Sequence, residues 1–411
     1  MRRSPVSGPE RAMPSRSVLL SLALVVFLSL GRPTPAADPA FNGRPLPAWL
    51  AMLKDDPLPR KRRAAVVALG QIAADFPDSR TAVLPAVARA LRNDSNPGVR
   101  LQAATVLGQQ PTDRGELFLL DTVEALRIEK DSEVRREVAV ALGRLGRYAL
   151  PAVGPLADVL KDPAPAARAA AAEALGRIGP DASPAGATLI GLTKDADRGV
   201  RAAAVFALGR VDPDDRDGAA TAVVGVLADE RTADARLAAR AAAASGAAAA
   251  GRDTGLASAA VVSLGLLGSR SADAVRAVAV RLADPDADVR QLAALTLRKF
   301  GPAAQAAIPE LTAAFRDDPA KQVRTYALHA LSAAHAGQPG TFVPLVVGRL
   351  KSDPDFEVRV AIAEEIGALG PAGKDALPAL REAQRDPQLK VREAATAAVR
   401  QVRRPAEKAK P

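Results

Sequence analysis

Lys161-Asp-Pro-Ala-Pro-Ala-Ala-Arg168-Ala-Ala-Ala-Ala-Glu-Ala-Leu-Gly-Arg-Ile-Gly179 is the stretch whose reading decides the fold. An acid and a proline open it, an arginine stands six positions after the acid, an Ala- and Leu-rich run follows, and glycine closes it. The same order returns along most of the chain, and self-similarity at a fixed period marks a stack of supersecondary units. Taking the arginine as anchor, the copies fall at Arg62, Arg100, Arg135, Arg168, Arg201, Arg290, Arg324, Arg359 and Arg392, spaced 33 to 38 residues apart except for one gap of 89. That gap holds a degenerate copy, Gly255 to Gly265, with Ala257 in the arginine slot. The chain therefore carries ten units between about 45 and 404.

Each anchor has an acid six residues before it: Asp56, Asp94, Glu129, Asp162, Asp195, Asp284, Asp318, Asp353 and Asp386. Pro follows six of them, at 57, 163, 285, 319, 354 and 387. An acid and Pro at a helix start favour the dipole, satisfy free N–H groups and preset φ. Ala and Leu recurring every three or four residues give a helical apolar stripe. A glycine eleven after the anchor, as at Gly146, Gly179, Gly268, Gly301 and Gly370, ends the helix with a left-handed cap. About ten residues on, a further helix is expected with Pro in its first turn: Pro85, Pro151, Pro309, Pro344 and Pro378. Each unit thus reads as helix A, a tight acidic turn and helix B. One such pair cannot bury its own apolar face, so the pairs must stack. The expected fold is an all-α solenoid of about ten helix pairs, its packed layers following an arc of roughly 80–100 Å.

These units resemble HEAT repeats, and specifically the short bacterial type named after the phycobilisome lyases. Lys161–Gly179 carries the resemblance, as does Ser352-Asp-Pro-Asp-Phe-Glu-Val-Arg359-Val-Ala-Ile-Ala-Glu-Glu-Ile-Gly367. It covers nearly all of the chain beyond the N-terminal segment and implies the solenoid fold, while a fold of this kind hosts many functions. In HEAT-like repeats the regular acid and arginine positions form a structural ladder, so the resemblance implies that role for Asp56, Arg62, Asp94, Arg100, Glu129, Arg135, Asp162, Arg168, Asp195, Arg201, Asp284, Arg290, Asp318, Arg324, Asp353, Arg359, Asp386 and Arg392.

Composition excludes most catalysis. The 411 residues contain no Cys, which removes disulfides, thiol nucleophiles and cysteine-held metals. Only two histidines exist, His329 and His335, six apart and so about 240° apart on a helix, whereas paired ligands sit three or four apart. HEAT-repeat hydroxylases hold iron with His-Glu dipeptides, and none is present. Bilin-lyase activity would need a motif beyond the repeats, and HEAT-like glycosylases need aromatic residues in a basic groove. One Trp and two Tyr are too few for that. No catalytic residue, cofactor or metal ligand is assigned. Trp49, in the first helix A, is read as a cap on the apolar end of the stack.

The net charge of +10 sits mostly at the ends: +4 in residues 1–36, +3 in 401–411 and +3 between. Nucleic acid is therefore not an expected partner, and polyanion binding through the tail is a minor alternative. Arginines at 2, 3, 11 and 16 precede an apolar run, 18–30, and then Pro35-Ala-Ala-Asp38. That order matches a secretory signal, 1–36, with a short linker at 37–44. The run is short for a membrane span. Export to the periplasm, envelope or medium is the expectation, with membrane attachment only if the segment is retained. The Ala-rich insert at about 231–252 reads as an extra helix in the sixth unit or as a linker between 45–230 and 253–404. A basic tail, 405–411, is read as disordered.

The functional expectation is a non-catalytic scaffold that binds a protein or peptide along its helix B groove. Variable residues of helix B, among them Arg136, Glu137, Glu173, Gln291 and Glu364, are plausible contacts. The enzyme alternative is a lyase- or oxidoreductase-type activity inherited from HEAT-like relatives.

Overall fold

The computed structural model describes residues 39–243, 255–268 and 270–404, with backbone only for 231–243. Residues 1–36, expected to be an export signal, the end of the insert and the tail expected to be disordered lie outside the described residues. In chain order the helices are α1 (Leu46–Asp55), α2 (Pro59–Asp75), α3 (Arg80–Asn93), α4 (Pro97–Gln109), α5 (Leu119–Ile128), α6 (Ser132–Leu145) and α7 (Val153–Val159). There follow α8 (Pro165–Ile178), α9 (Gly186–Leu192), α10 (Arg198–Leu208), α11 (Arg216–Ala243), α12 (Gly255–Leu267), α13 (Ala272–Ala279) and α14 (Ala287–Phe300). The last are α15 (Ile308–Asp317), α16 (Lys321–Ala334), α17 (Pro339–Val346), α18 (Arg349–Ser352), α19 (Phe356–Ala368), α20 (Leu377–Ala383) and α21 (Leu389–Val402). Paired in order, with α17 and α18 sharing one first-helix place, they make ten units of an all-α solenoid.

The acidic turn works differently from its sequence reading. In most units the acid ends the first helix, as Asp94 ends α3 and Glu129 ends α5, and the second helix is capped two residues later. The cap stands four before the anchor: Asn96, Asp131, Asp197, Asp286 and Asp355 use their side chains, while Ala164 and Ala320 offer none. The acid's carboxylate accepts the N–H of that cap residue instead, as from Asn96 to Asp94 at 2.9 Å. Pro309 and Pro378 open their helices, but Pro85 and Pro344 stand inside α3 and α17 and Pro151 inside a 3₁₀ turn. The helix holding Pro85 starts earlier because a 3₁₀ turn, Pro77–Ser79, already winds ahead of it, and the helix holding Pro344 starts at an earlier proline, Pro339. Gly146, Gly301 and Gly370 turn at φ +56, +60 and +56°, and a 3₁₀ turn follows each. Two further departures concern the flanks. Residues 40–45 form a small hairpin, Ala40–Phe41 against Arg44–Pro45. The start of the insert continues α11 without a break to Ala243, since Ala favours helix and nothing there stops it.

One buried cluster runs from Leu53 to Val402 without interruption. Along it the second helices pack side by side more closely than the first helices do. The reason is a crossing repeated from unit to unit, where a glycine eight after the anchor meets a small residue six after the next. A Cβ on Gly143 would stand 2.9 Å from the Ala174 Cα, one on Gly176 2.9 Å from the Ala207 Cα, and one on Gly367 3.0 Å from the Ala398 Cα. At the N-terminal end the hairpin folds over α1. The Trp49 indole donates to the Phe41 carbonyl at 3.2 Å, and the Arg44 guanidinium lies 4.6 Å from the indole centroid.

Candidate functional face and the ladder beneath it

Seven of the nine anchor arginines bridge two units. Arg168 is representative: Nε and Nη2 donate to both carboxylate oxygens of Asp195 in the next unit at 2.9 and 2.8 Å, while Nη1 donates to the Asp162 carbonyl of its own turn. The same fork joins Arg62 to Asp94, Arg100 to Glu129, Arg290 to Asp318, Arg324 to Asp353 and Arg359 to Asp386. Arg135 bonds Asp162 through Nε. A bidentate guanidinium–carboxylate pair adds geometry to charge, so each rung fixes the register of one unit on the next.

Two anchors depart from the rule. Arg392, in the last unit, bonds only the carbonyls of Asp386 and Pro387 among the described residues. Arg201 comes no nearer than 4.0 Å to a carboxylate, that of Glu230, which Arg198 binds at 2.7 Å. With Ala257 in the sixth anchor slot, Asp284 is taken by Arg281, which also donates to the Leu227 carbonyl. Glu230 escaped the sequence reading because the insert displaces it from the acid's place in the register, and Arg198 and Arg281 because they stand three residues before Arg201 and Asp284 rather than in the anchor slot. Asp56, first of the row, holds Lys61 at 3.3 Å.

The rungs make stability depend on acid. Hydrogen bonds from Arg168 and Arg359 hold Asp195 and Asp386 below the ordinary Asp value. At Asp94 and Glu129 burial pushes upward, and the arginine and backbone N–H bonds outweigh it, so both are also lowered. A depressed folded value stabilises above the unfolded one and is lost as pH falls through the folded value. The urea midpoint is therefore expected to hold from neutral pH down to about 4.5 and to fall steeply below it. Asp195→Asn, by removing one such group, should flatten that fall while lowering the midpoint at pH 7.

Above the ladder lies a face that varies from unit to unit. Positions one, five and nine after each anchor are four apart and so share a face of the second helix. None of these residues is buried in any of the ten units. Read along the stack, position five is Val67, Thr105, Val140, Glu173, Phe206, Val262, Leu295, His329, Glu364 and Ala397, and position nine includes Arg144, Arg177, Arg210, Leu266 and Lys299. Of the contacts expected from sequence, Arg136, Glu173, Gln291 and Glu364 lie on this face. Glu137 is one position off it, half-buried and 3.2 Å from Arg136.

The middle of the face is apolar, with Phe206, Val262 and Leu295 half-buried and Leu266 47% exposed. Towards its C-terminal end the packing changes. Glu365 occupies the crossing position that is small or apolar in other units, opposite Ser332 where glycine is usual, and His329 Nδ1 lies 2.5 Å from its carboxylate. Burial works to raise the Glu365 carboxyl, but bonding to His329 and Ser332 and the charge of Arg298 hold it below its ordinary value. Of consecutive second helices, α16 and α19 share the least contact. His335, six residues on, is buried, bonds the Leu331 carbonyl at 2.8 Å and packs 6.0 Å from Phe342. The two histidines do not meet, and no three ligand-type side chains converge on a metal-sized site among the described residues.

Two clefts open between first helices, one lined by Leu53, Arg62, Ala86 and Asp94, the other by Leu282, Arg290, Ala314 and Asp318. Their walls include ladder pairs already made, Arg62 with Asp94 and Arg290 with Asp318. No helix among the described residues is long and apolar enough to cross a membrane.

Comparison with known proteins agrees with this architecture. The family model for HEAT repeats matches residues 46–122, 119–187, 155–244, 246–332 and 335–410. The crystal structure of an engineered protein is similar over 87% of this chain and 98% of its own, with a TM-score of 0.59 at 18% identity. At that identity the likeness shows the fold alone. No curated protein matches the chain.

Proposed function

The chain belongs to the HEAT-repeat family, and from that premise we propose that it is a non-catalytic scaffold whose second-helix face receives an extended segment of a protein partner. The observation that carries this reading is the contrast between two sets of positions. Anchor arginines and acids recur because every unit needs them, whereas positions one, five and nine stay open in every unit and change from one to the next. The closer packing of the second helices makes them the inner row of the superhelix, which is the concave side that solenoids offer to partners. The short units, led by Asp-Pro and anchored by arginine, favour the phycobilisome-lyase HEAT-like subtype.

A crosslinking pull-down with the chain on a native envelope and secreted fraction, read by mass spectrometry at low and high salt, tests this reading. One protein should be retained at both salt concentrations and lost with Leu266→Glu, which puts a charge in the apolar centre without touching the core. Retention of only salt-sensitive polyanions, or the same capture by the Leu266→Glu chain, would contradict it. The choice of fraction rests on residues 1–36, whose basic start, 13-residue apolar run and small-residue exit we read as an export signal. The chain purified from its producing cells should accordingly begin at Ala37 or Asp38 by N-terminal mass analysis. An intact Met1 or Met13 start on all molecules would refute cleavage.

A further inference from the structure

We propose that the segment received by this face is acidic, extended and read at three-residue spacing, with carboxylates on units three, four, five and seven and an apolar side chain on unit six. The inference rests on the second-helix face being the binding face, and it adds the chemistry of what binds there.

Position nine carries the charge. In five consecutive units it reads Arg144, Arg177, Arg210, Leu266 and Lys299, and in none of the ten is it acidic. These cations are only weakly engaged by the protein itself. Arg144 donates to the Gly108 carbonyl, and Arg177 lies 3.5 Å from Glu173 in an exposed pair of the kind worth little. Arg210 is the most telling. Its guanidinium lies 3.8 Å from the centroid of the Phe206 ring and bonds the Phe206 carbonyl, with no carboxylate partner among the described residues. Half-buried and uncompensated, it is held below the ordinary arginine value by burial alone. A desolvated charge without a counter-charge costs free energy, and an arriving carboxylate removes that cost.

The spacing follows from the stack. Packed helices stand about 8–10 Å apart. An extended polyproline-II chain has three residues per turn and rises about 3.1 Å per residue, so every third side chain returns to the same face about one unit further on. Side chains three apart can thus meet Arg144, Arg177 and Arg210 in turn. The next meets Leu266 beside Val262 and Leu295, and the one after meets Lys299. At three-residue spacing a helical segment would advance only about 4.5 Å, too little to match unit for unit.

The test titrates the full chain by calorimetry with two thirteen-residue peptides, Glu-x-x-Glu-x-x-Glu-x-x-Leu-x-x-Glu and its reverse, where x is Ser or Gly. An isomer with the four glutamates adjacent, an all-neutral peptide with Leu retained, and heparin are compared. One of the two patterned peptides should bind at least about tenfold more tightly than the clustered isomer, and lose at least about tenfold with the Arg144→Glu/Arg177→Glu/Arg210→Glu chain. Circular dichroism of that variant should match the parent, since the three side chains sit outside the core. Equal binding of patterned and clustered peptides, unchanged binding by the triple variant, or tightest binding to heparin overturns the proposal. Binding of the neutral peptide alone, abolished by Leu266→Glu, overturns the acidic pattern and leaves the binding face standing. No binding by any of these ligands, while the pull-down partner is still lost with Leu266→Glu, does the same.

Discussion

Arg324→Ala is expected to lower the unfolding free energy by about 3–5 kcal/mol, the largest effect of any single ladder substitution. Arg324 and Asp353 form the most deeply buried rung, with side-chain exposures of 5 and 0%. Removing the guanidinium leaves a carboxylate in the interior with only backbone N–H of Asp355 and the more distant Arg349, 3.6 Å away, to offset it. Replacing both partners with apolar residues of similar size should cost much less, because no orphaned charge remains. The control is Arg392→Ala, whose guanidinium bonds only carbonyls, for which about 1 kcal/mol is expected. Urea unfolding followed by circular dichroism measures the totals. Since each unit leans only on its neighbours, hydrogen exchange should rise first in α16 and α19 and spread from there. A loss for Arg324→Ala no greater than for Arg392→Ala would show that the ladder does not hold the units together.

Gly143→Val is the second large effect. The Cβ it introduces would meet the backbone of α8 rather than a movable side-chain tip, at 2.9 Å from the Ala174 Cα. The two second helices must part, and overpacking of this kind costs about 1–3 kcal/mol, only partly offset by the better helix propensity of any residue over glycine. Valine's branched Cβ places two further methyls in the same crossing. Gly191→Ala supplies the contrast: it lies in α9 with nothing within 4 Å of an added Cβ, and should gain up to about 1 kcal/mol. A neutral or stabilising Gly143→Val, measured by the same urea titration, would mean that the crossing is looser than its geometry.

Much of this was legible in the sequence because the solenoid repeats its physical needs. The period, the anchor arginine, the acid six before it and the glycine eleven after it each mark a feature that many units share, so they stand out by recurrence. The detail inside the turn was less legible. The acid and the cap are two residues apart, and a carboxylate that accepts the N–H at the cap looks, in sequence, like the cap itself. Prolines 85 and 344 misled for a similar reason: each helix has an earlier start, after the 3₁₀ turn Pro77–Ser79 for α3 and at Pro339 for α17. Glu230 was invisible because the insert removes it from the register that made its counterparts visible, and Arg281 because it is not at an anchor position but three residues before Asp284.

The binding face was only half legible. Its positions follow from helical spacing once the second helices are located, and Arg136, Glu173, Gln291 and Glu364 lie on it. The row at position nine needed the structure, since last-turn arginines also read as ordinary complements of the helix dipole. Only the stacking of Arg210 on Phe206, without a carboxylate, separates that residue from its bland counterpart. Glu365 shows the limit from the other side. The sequence offers no reason for a glutamate at a helix crossing until His329 and Ser332 are seen beside it.

The most direct test of the account places a photo-crosslinking amino acid at Leu266 in one chain and at Leu120 in another, each in its native extract. Both side chains are exposed, at 47 and 71%, but Leu266 lies at the centre of the second-helix face and Leu120 on a first helix. Illumination should join one protein species to position 266 and leave position 120 unlinked. Adducts at 120 in place of 266, or the same adducts at both, would place the partner elsewhere and contradict the assignment of the face.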